Sequence, residues 1–128
     1  MLDFKNLRRP KTPNTYLLAP IGVCENAVPD AEPTVFYLKN AATLKADFLH
    51  IMQDQPRVSV LEDEGLGLEL RQKTPLMGFP DFISVKFINL EEGKSTLAIY
   101  SRSKYGRKDF GVNRKRIELW VDLLRKNA

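Results

Sequence analysis

Four consecutive stretches in the middle of the chain alternate apolar and polar residues with period two, and each predicts a β-strand. In 57–62, Val58 and Val60 share a face. In 66–73, Leu66, Leu68 and Leu70 alternate with Glu69, Arg71 and Lys73. Ile83, Val85 and Phe87 oppose Ser84, Lys86 and Ile88 in 81–90, and Leu97 and Ile99 oppose Thr96, Ala98, Tyr100 and Arg102 in 95–103. The connections at 63–65 and 91–94, with Gly65 and Gly93, suit hairpins. A shorter β-prone run lies at 34–38. Asn40 is placed to cap a helix reaching about residue 54, with the stripe Leu44, Phe48, Ile51, Met52. A second helix is predicted at 112–126, where Asn113, Ile117, Trp120, Val121 and Leu124 fall on one face at 100° per residue.

The element order is therefore β-α-β-β-β-β-α: an α+β fold in which both helices cover the apolar face of an antiparallel meander of four to five strands. The opposite sheet face carries Arg71, Lys73, Lys86, Tyr100 and Arg102, and is either open or covered by the N-terminal residues. Residues 1–33 hold five of the eight prolines and show no period, which predicts an irregular arm packed on a single domain of residues 34–128. The segment 74–80 is apolar, with Leu76, Met77 and Phe79 between Pro75 and Pro80. Folding inward to extend the core is the first expectation; the alternative is a lip over a cavity or a patch that touches a membrane or partner.

A chain of 128 residues suits one domain, and its 43% hydrophobic and 28% charged residues exclude wholesale disorder. Its net charge of +4 is unevenly distributed, because nine basic residues face three acids between residues 101 and 126. Cys24 is the only cysteine, so neither an internal disulfide nor a thiolate metal cage is expected. The polar, basic stretch 1–14 lacks the apolar run of a signal peptide and no segment reaches the length of a membrane span, so the expected location is cytoplasmic. His50 has no evident acid or nucleophile partner. Ser101 and Ser103 lie outside any Gly-x-Ser-x-Gly elbow, Gly65-Leu-Gly67 opens a strand rather than a phosphate-binding helix, and 62–64 reads as a solvated acidic tip. No cofactor, metal or catalytic residue is expected.

The most distinctive segment joins the last strand to the last helix: Ser101-Arg-Ser-Lys-Tyr-Gly-Arg-Lys-Asp-Phe-Gly-Val-Asn-Arg-Lys-Arg-Ile117. Together with Phe79-Pro-Asp-Phe-Ile-Ser-Val85, Ser95-Thr-Leu-Ala-Ile-Tyr100 and Pro13-Asn-Thr-Tyr-Leu17, it resembles the family named domain of unknown function 1499. That resemblance implies that the motif is a unit and supplies no reaction. The order of elements resembles the helix-grip or TATA-binding-protein-like architecture.

Two readings of residues 101–116 compete. In one the segment is a structural staple. Ser101 and Ser103 continue the inward row of Leu97 and Ile99, and Gly106 and Gly111 permit positive φ. Asp109 or Asn113 caps the helix, Asn113 alternatively serving as a buried bridge, and Asp109 pairs with Arg114 or Arg116. In the other, the helix N-terminus and its cations receive a small phosphate or carboxylate. On that basis the leading expectation is a non-enzymatic binding module for a small anionic or amphiphilic ligand, held by Arg102, Tyr105, Arg107, Asn113, Arg114 and Arg116. The alternative is a protein–protein adaptor, including a homo-oligomer, using an open sheet face or edge. An enzyme with Tyr105 or Asp109 as acid or base ranks lower. Nucleic acid ranks last, since a basic face with one aromatic ring offers too few stacking platforms.

Overall fold

The alternation read along the chain becomes one antiparallel sheet. The computed structural model describes residues 1–11, 14–104 and 111–127. Among them are six strands: β1 (Thr15–Leu18), β2 (Phe36–Tyr37), β3 (Val58–Glu64), β4 (Gly67–Lys73), β5 (Pro80–Asn89) and β6 (Lys94–Ser103). Helices α1 (Ala41–Met52) and α2 (Val112–Lys126) complete the fold. The strand order is β1-β6-β5-β4-β3, so the meander β3–β6 is joined only by hairpins. The free edge of β6 is shared. β1 pairs with one end of it, Thr15 opposite Arg102, and β2 with the other, Phe36 opposite Ser95. The α+β class, and the element order from β2 onward, thus agree with the sequence reading. The sheet is wider than four or five strands because the N-terminal arm, expected to be irregular, supplies β1 and a 3-10 turn at Phe4–Asn6.

The inward rows Leu68/Leu70, Ile83/Val85/Phe87 and Leu97/Ile99 meet Leu44, Phe48 and Met52 of α1 and Ile117, Trp120 and Leu124 of α2. Phe48 stands edge-on to both Phe87 and Trp120, with ring centroids 5.5 and 6.0 Å away. Burying an aromatic or aliphatic side chain of this size contributes about 1.5–3 kcal/mol, so this layer dominates stability. The arm covers part of the outer face. Phe4, Leu7, Leu17 and Ala19 pack on Ala98 and Tyr100.

Helix α1 begins where Asn40 accepts a bond from the Thr43 N–H at 2.8 Å, the side-chain cap its sequence predicts. Helix α2 begins differently. Gly111 precedes it with φ 79°, and Asn113 lies inside the first turn, so Asn113 is not a cap. The apolar segment 74–80 also departs from its first expectation. Leu76 is 97%, Met77 70% and Phe79 44% exposed. The reason is local. Thr74 N–H donates to the Phe79 carbonyl (2.9 Å) and Gly78 N–H to the Thr74 carbonyl (3.1 Å), closing a short loop whose tip points away from the domain.

Candidate functional site

The inward row of β6 runs out of apolar residues at Ser101, and the polar end of the sheet begins there. Ser101 and Ser103 do face α2, as the alternation predicts. The Ser101 hydroxyl donates to Asn113 Oδ1 at 2.6 Å, and Asn113 Nδ2 donates to Ser103 Oγ at 3.0 Å and to the Asn14 carbonyl at 2.9 Å. Asn113 is therefore the buried bridge of the staple reading, sewing α2 to β6 and to the residue before β1.

Arg116 occupies the centre of this network. Its guanidinium donates to Asn113 Oδ1 (2.8 Å), Ser101 Oγ (2.9 Å), Gln72 Oε1 (2.5 Å) and Asp81 Oδ2 (2.7 Å). Asp81 opens the inward row of β5, Gln72 closes that of β4, and the two lie opposite each other in the ladder. Both are site residues that the sequence reading passed over. Their signal was parity: Asp81 occupies the same phase as Ile83, Val85 and Phe87, and a carboxylate on a buried row needs a cationic partner.

Of the six ligand-binding residues expected at the helix entrance, the four among the described residues, Arg102, Asn113, Arg114 and Arg116, do not converge. Asn113 and Arg116 come together, but their polar groups already bond to protein. Arg114 lies on the exposed flank of α2 and pairs with Glu118 at 2.9 Å. Arg102 lies on the outer sheet face, since Thr15, Phe82 and Arg102 are cross-strand neighbours pointing away from the helices. Tyr105 and Arg107 lie outside the described residues, as do Gly106, Asp109 and Pro13.

The outer face holds a second polar cluster. Arg102 Nη1 donates to Ser84 Oγ at 2.7 Å, its guanidinium lies 5.1 Å from the Tyr100 ring centroid, and Nη2 is 3.9 Å from Glu69. Burial pulls the Arg102 guanidinium below its ordinary pKa, with Glu69 and then Tyr100 opposing the shift. Glu69 also accepts from the Ser84 hydroxyl at 2.5 Å and from the Leu2 N–H at 2.9 Å. Burial pushes the Tyr100 phenol up, against the charges of Arg102 and Arg9 and hydrogen bonds to Thr15 and Arg9. Arg9 is held by Asp30 (2.7 Å), Thr15 (3.0 Å) and the Val28 carbonyl (3.0 Å).

Arg71 differs from all of these. It lies opposite Phe82, which lies opposite Arg102, so one outward row reads Arg71–Phe82–Arg102–Thr15. The two arginine Cα atoms are two strand spacings apart, about 10 Å, within mutual reach of two extended side chains. Arg71 is half-buried, its Nε is buried without a hydrogen-bond partner, and among the described residues no carboxylate pairs with it. A buried donor left unmade costs about 1–3 kcal/mol, and the terminal nitrogens of this guanidinium, which bond to no described residue, have capacity for an external acceptor.

Among the described residues no three of His, Cys, Asp and Glu gather as a metal centre would require, and no helix is long and apolar enough to cross a membrane. Comparison with curated proteins finds no match. A family model, described as protein of unknown function (DUF1499), matches residues 8–124, which takes in β1, the meander, the Arg116 network and nearly all of α2. The chain belongs to the DUF1499 family.

Proposed function

We propose that this protein is a non-enzymatic binding module for a small anionic or amphiphilic ligand, and that the ligand is taken on the outer sheet face between Arg71 and Arg102. The observation that carries the reading is the half-buried guanidinium of Arg71, without a hydrogen-bond or ion-pair partner among the described residues, one cross-strand step from Phe82 and two from Arg102. A phosphate or carboxylate bridging the two guanidiniums meets the terminal nitrogens of Arg71, and Phe82, half-buried between them, offers an apolar surface to the remainder of the ligand. The helix entrance, where the motif 101–116 first directs attention, is a weaker candidate because Asp81 already neutralises Arg116. The reading carries with it a cytoplasmic location.

Two charge-assisted bonds of about 1.5–3 kcal/mol each correspond to dissociation constants between about 5 mM and about 50 μM. Isothermal titration with inorganic phosphate and with a short alkyl phosphate tests this. Binding is expected to fall at least about tenfold in Arg71→Ala and in Arg102→Ala, and to persist in Arg114→Ala. Undiminished binding by Arg71→Ala, or no heat from either probe, removes the site.

A second reading, the protein–protein adaptor, is favoured by one observation. Among the described residues β3 pairs only with β4, and its Val60 and Leu61 are each 46% exposed. Against it stand the register shift between Val60 and Glu62 and the acids Glu62, Asp63 and Glu64, devices that blunt edge-to-edge pairing. Light scattering that finds a stable dimer, lost in Val60→Lys, would put this reading first.

A further inference from the structure

The hairpin loop between β4 and β5 exposes its apolar residues, Leu76 and Met77 above all, and it does so from a closed, hydrogen-bonded frame. Thr74 and Phe79 are tied twice, through Thr74 N–H to the Phe79 carbonyl and Phe79 N–H to Thr74 Oγ1 (2.9 and 3.0 Å), while Gly78 turns the chain with φ 66°. Leu76 and Met77 stand at the tip, 97% and 70% exposed, beside exposed Pro75. Single exposed leucines are commonplace, but adjoining apolar side chains held out on a hydrogen-bonded loop are not.

The layer of backbone directly beneath the tip is cationic. Lys73 ends β4, Arg57 precedes β3 and bonds the Lys73 carbonyl through its Nε at 2.9 Å, and Lys104 follows β6 with its N–H on the Pro80 carbonyl at 3.4 Å. All three side chains are exposed. Asp81, the acid nearest the tip in sequence, is buried against Arg116 and does not offset Lys73 or Arg57.

We infer that the loop 74–79 is a membrane-docking tip: Leu76 and Met77 enter the interfacial zone of an anionic lipid surface while Lys73 and Arg57 meet its headgroups. A convex tip suits a deformable partner better than a preformed protein groove, and its collar of cations selects a negatively charged one. The opposite end of the sheet provides the contrast. Leu38 is 96% and Tyr37 66% exposed there, but Glu91 and Glu92 accompany Lys39 and Lys94, so that end has no net charge to bring to anionic lipid. The inference is independent of an anion bound between Arg71 and Arg102.

The test is flotation of the full chain with vesicles of phosphatidylcholine, with and without phosphatidylglycerol. Retention is expected on the anionic vesicles only and is expected to weaken with salt. Leu76→Ser with Met77→Ser lowers it more than about tenfold. Lys73→Glu also lowers it, by roughly tenfold, and Leu38→Ser leaves it unchanged. Leu76→Trp supplies a reporter against the single buried Trp120: its emission shifts blue on anionic vesicles and is quenched by brominated lipid. These exposed substitutions are expected to leave the melting temperature within about 2 °C of the parent, so loss of retention is not loss of fold. No flotation, flotation indifferent to the double substitution, or an unshifted Leu76→Trp spectrum overturns the inference. So does concentration-dependent self-association that the double substitution abolishes, since the tip would then be a contact between copies.

Discussion

Arg116 and Asp81, 35 residues apart in the chain, close a 2.7 Å ion pair beneath α2 with their side chains only 6% and 5% exposed. The pair joins the last helix to the start of β5, and through Gln72, Ser101 and Asn113 it reaches β4, β6 and the residue before β1. An ion pair this deep adds little net stability against an apolar replacement, but each half depends on the other.

Asp81→Ala leaves a guanidinium buried without its carboxylate and is expected to cost about 3–5 kcal/mol. Asn113→Asp removes two donors and sets a carboxylate against the Asn14 carbonyl, for a loss of about 2–3 kcal/mol. Asp81→Leu combined with Arg116→Met is expected to recover most of the Asp81→Ala loss. Urea unfolding checks all three through the midpoint at constant slope. A cost below about 1 kcal/mol for Asp81→Ala would mean that solvent already reaches the pair.

Gly111 makes a narrower claim. Its φ of 79° is left-handed, and a Cβ built there meets nothing within 4 Å. The penalty for Gly111→Ala is then purely conformational, about 1–2 kcal/mol, and Gly111→Asn is expected to cost less because asparagine tolerates this region. Thermal unfolding of the two variants orders them. Equal losses would place the constraint in side-chain packing instead.

Much of this fold was legible because it obeys two periods. Inward Ile83, Val85 and Phe87, and the stripe Ile117, Trp120, Val121, Leu124, specify their elements without help from the rest of the chain. β1 was not legible, since only four residues pair and the flanking prolines suggest irregular structure. The site was half legible. Alternation correctly put Arg102 outside with Tyr100, whereas its closeness in sequence to the helix entrance suggested the opposite. Nothing local distinguishes Arg114 from Arg116, because both flank the stripe. Asp81 and Gln72 decide it by lying under one flank alone. Leu76 and Met77 were misjudged because apolarity alone does not bury a side chain that a closed turn holds outward.

Arg71 separates stability from binding. Replacing a half-buried, unpartnered guanidinium with Arg71→Met removes an unsatisfied donor and keeps the apolar stem. Stability in urea is therefore expected to be unchanged or higher by up to about 1 kcal/mol. Phosphate titration of the same variant is expected to show binding at least about tenfold weaker. A substitution that lowered stability and left binding intact would make Arg71 a structural residue.

Tyr100 predicts the alkaline limit of the fold. Its phenol is raised above the ordinary value of 10.0, first by burial, so the folded chain holds this proton more tightly than the unfolded one. Stability that depends on the neutral phenol is complete below pH 10 and declines as pH rises from there through the folded-state pKa. The Cys24 thiol and the Tyr16 phenol are raised by burial too and act in the same direction, Cys24 from its ordinary 9.0. Unfolding midpoints measured between pH 8 and about 11.5 should accordingly fall above pH 9, more steeply beyond 10, and Tyr100→Phe should flatten the later part of the curve. Identical slopes in parent and Tyr100→Phe would show that the phenol keeps its ordinary affinity, and that Arg102 and Arg9 offset the burial penalty in full.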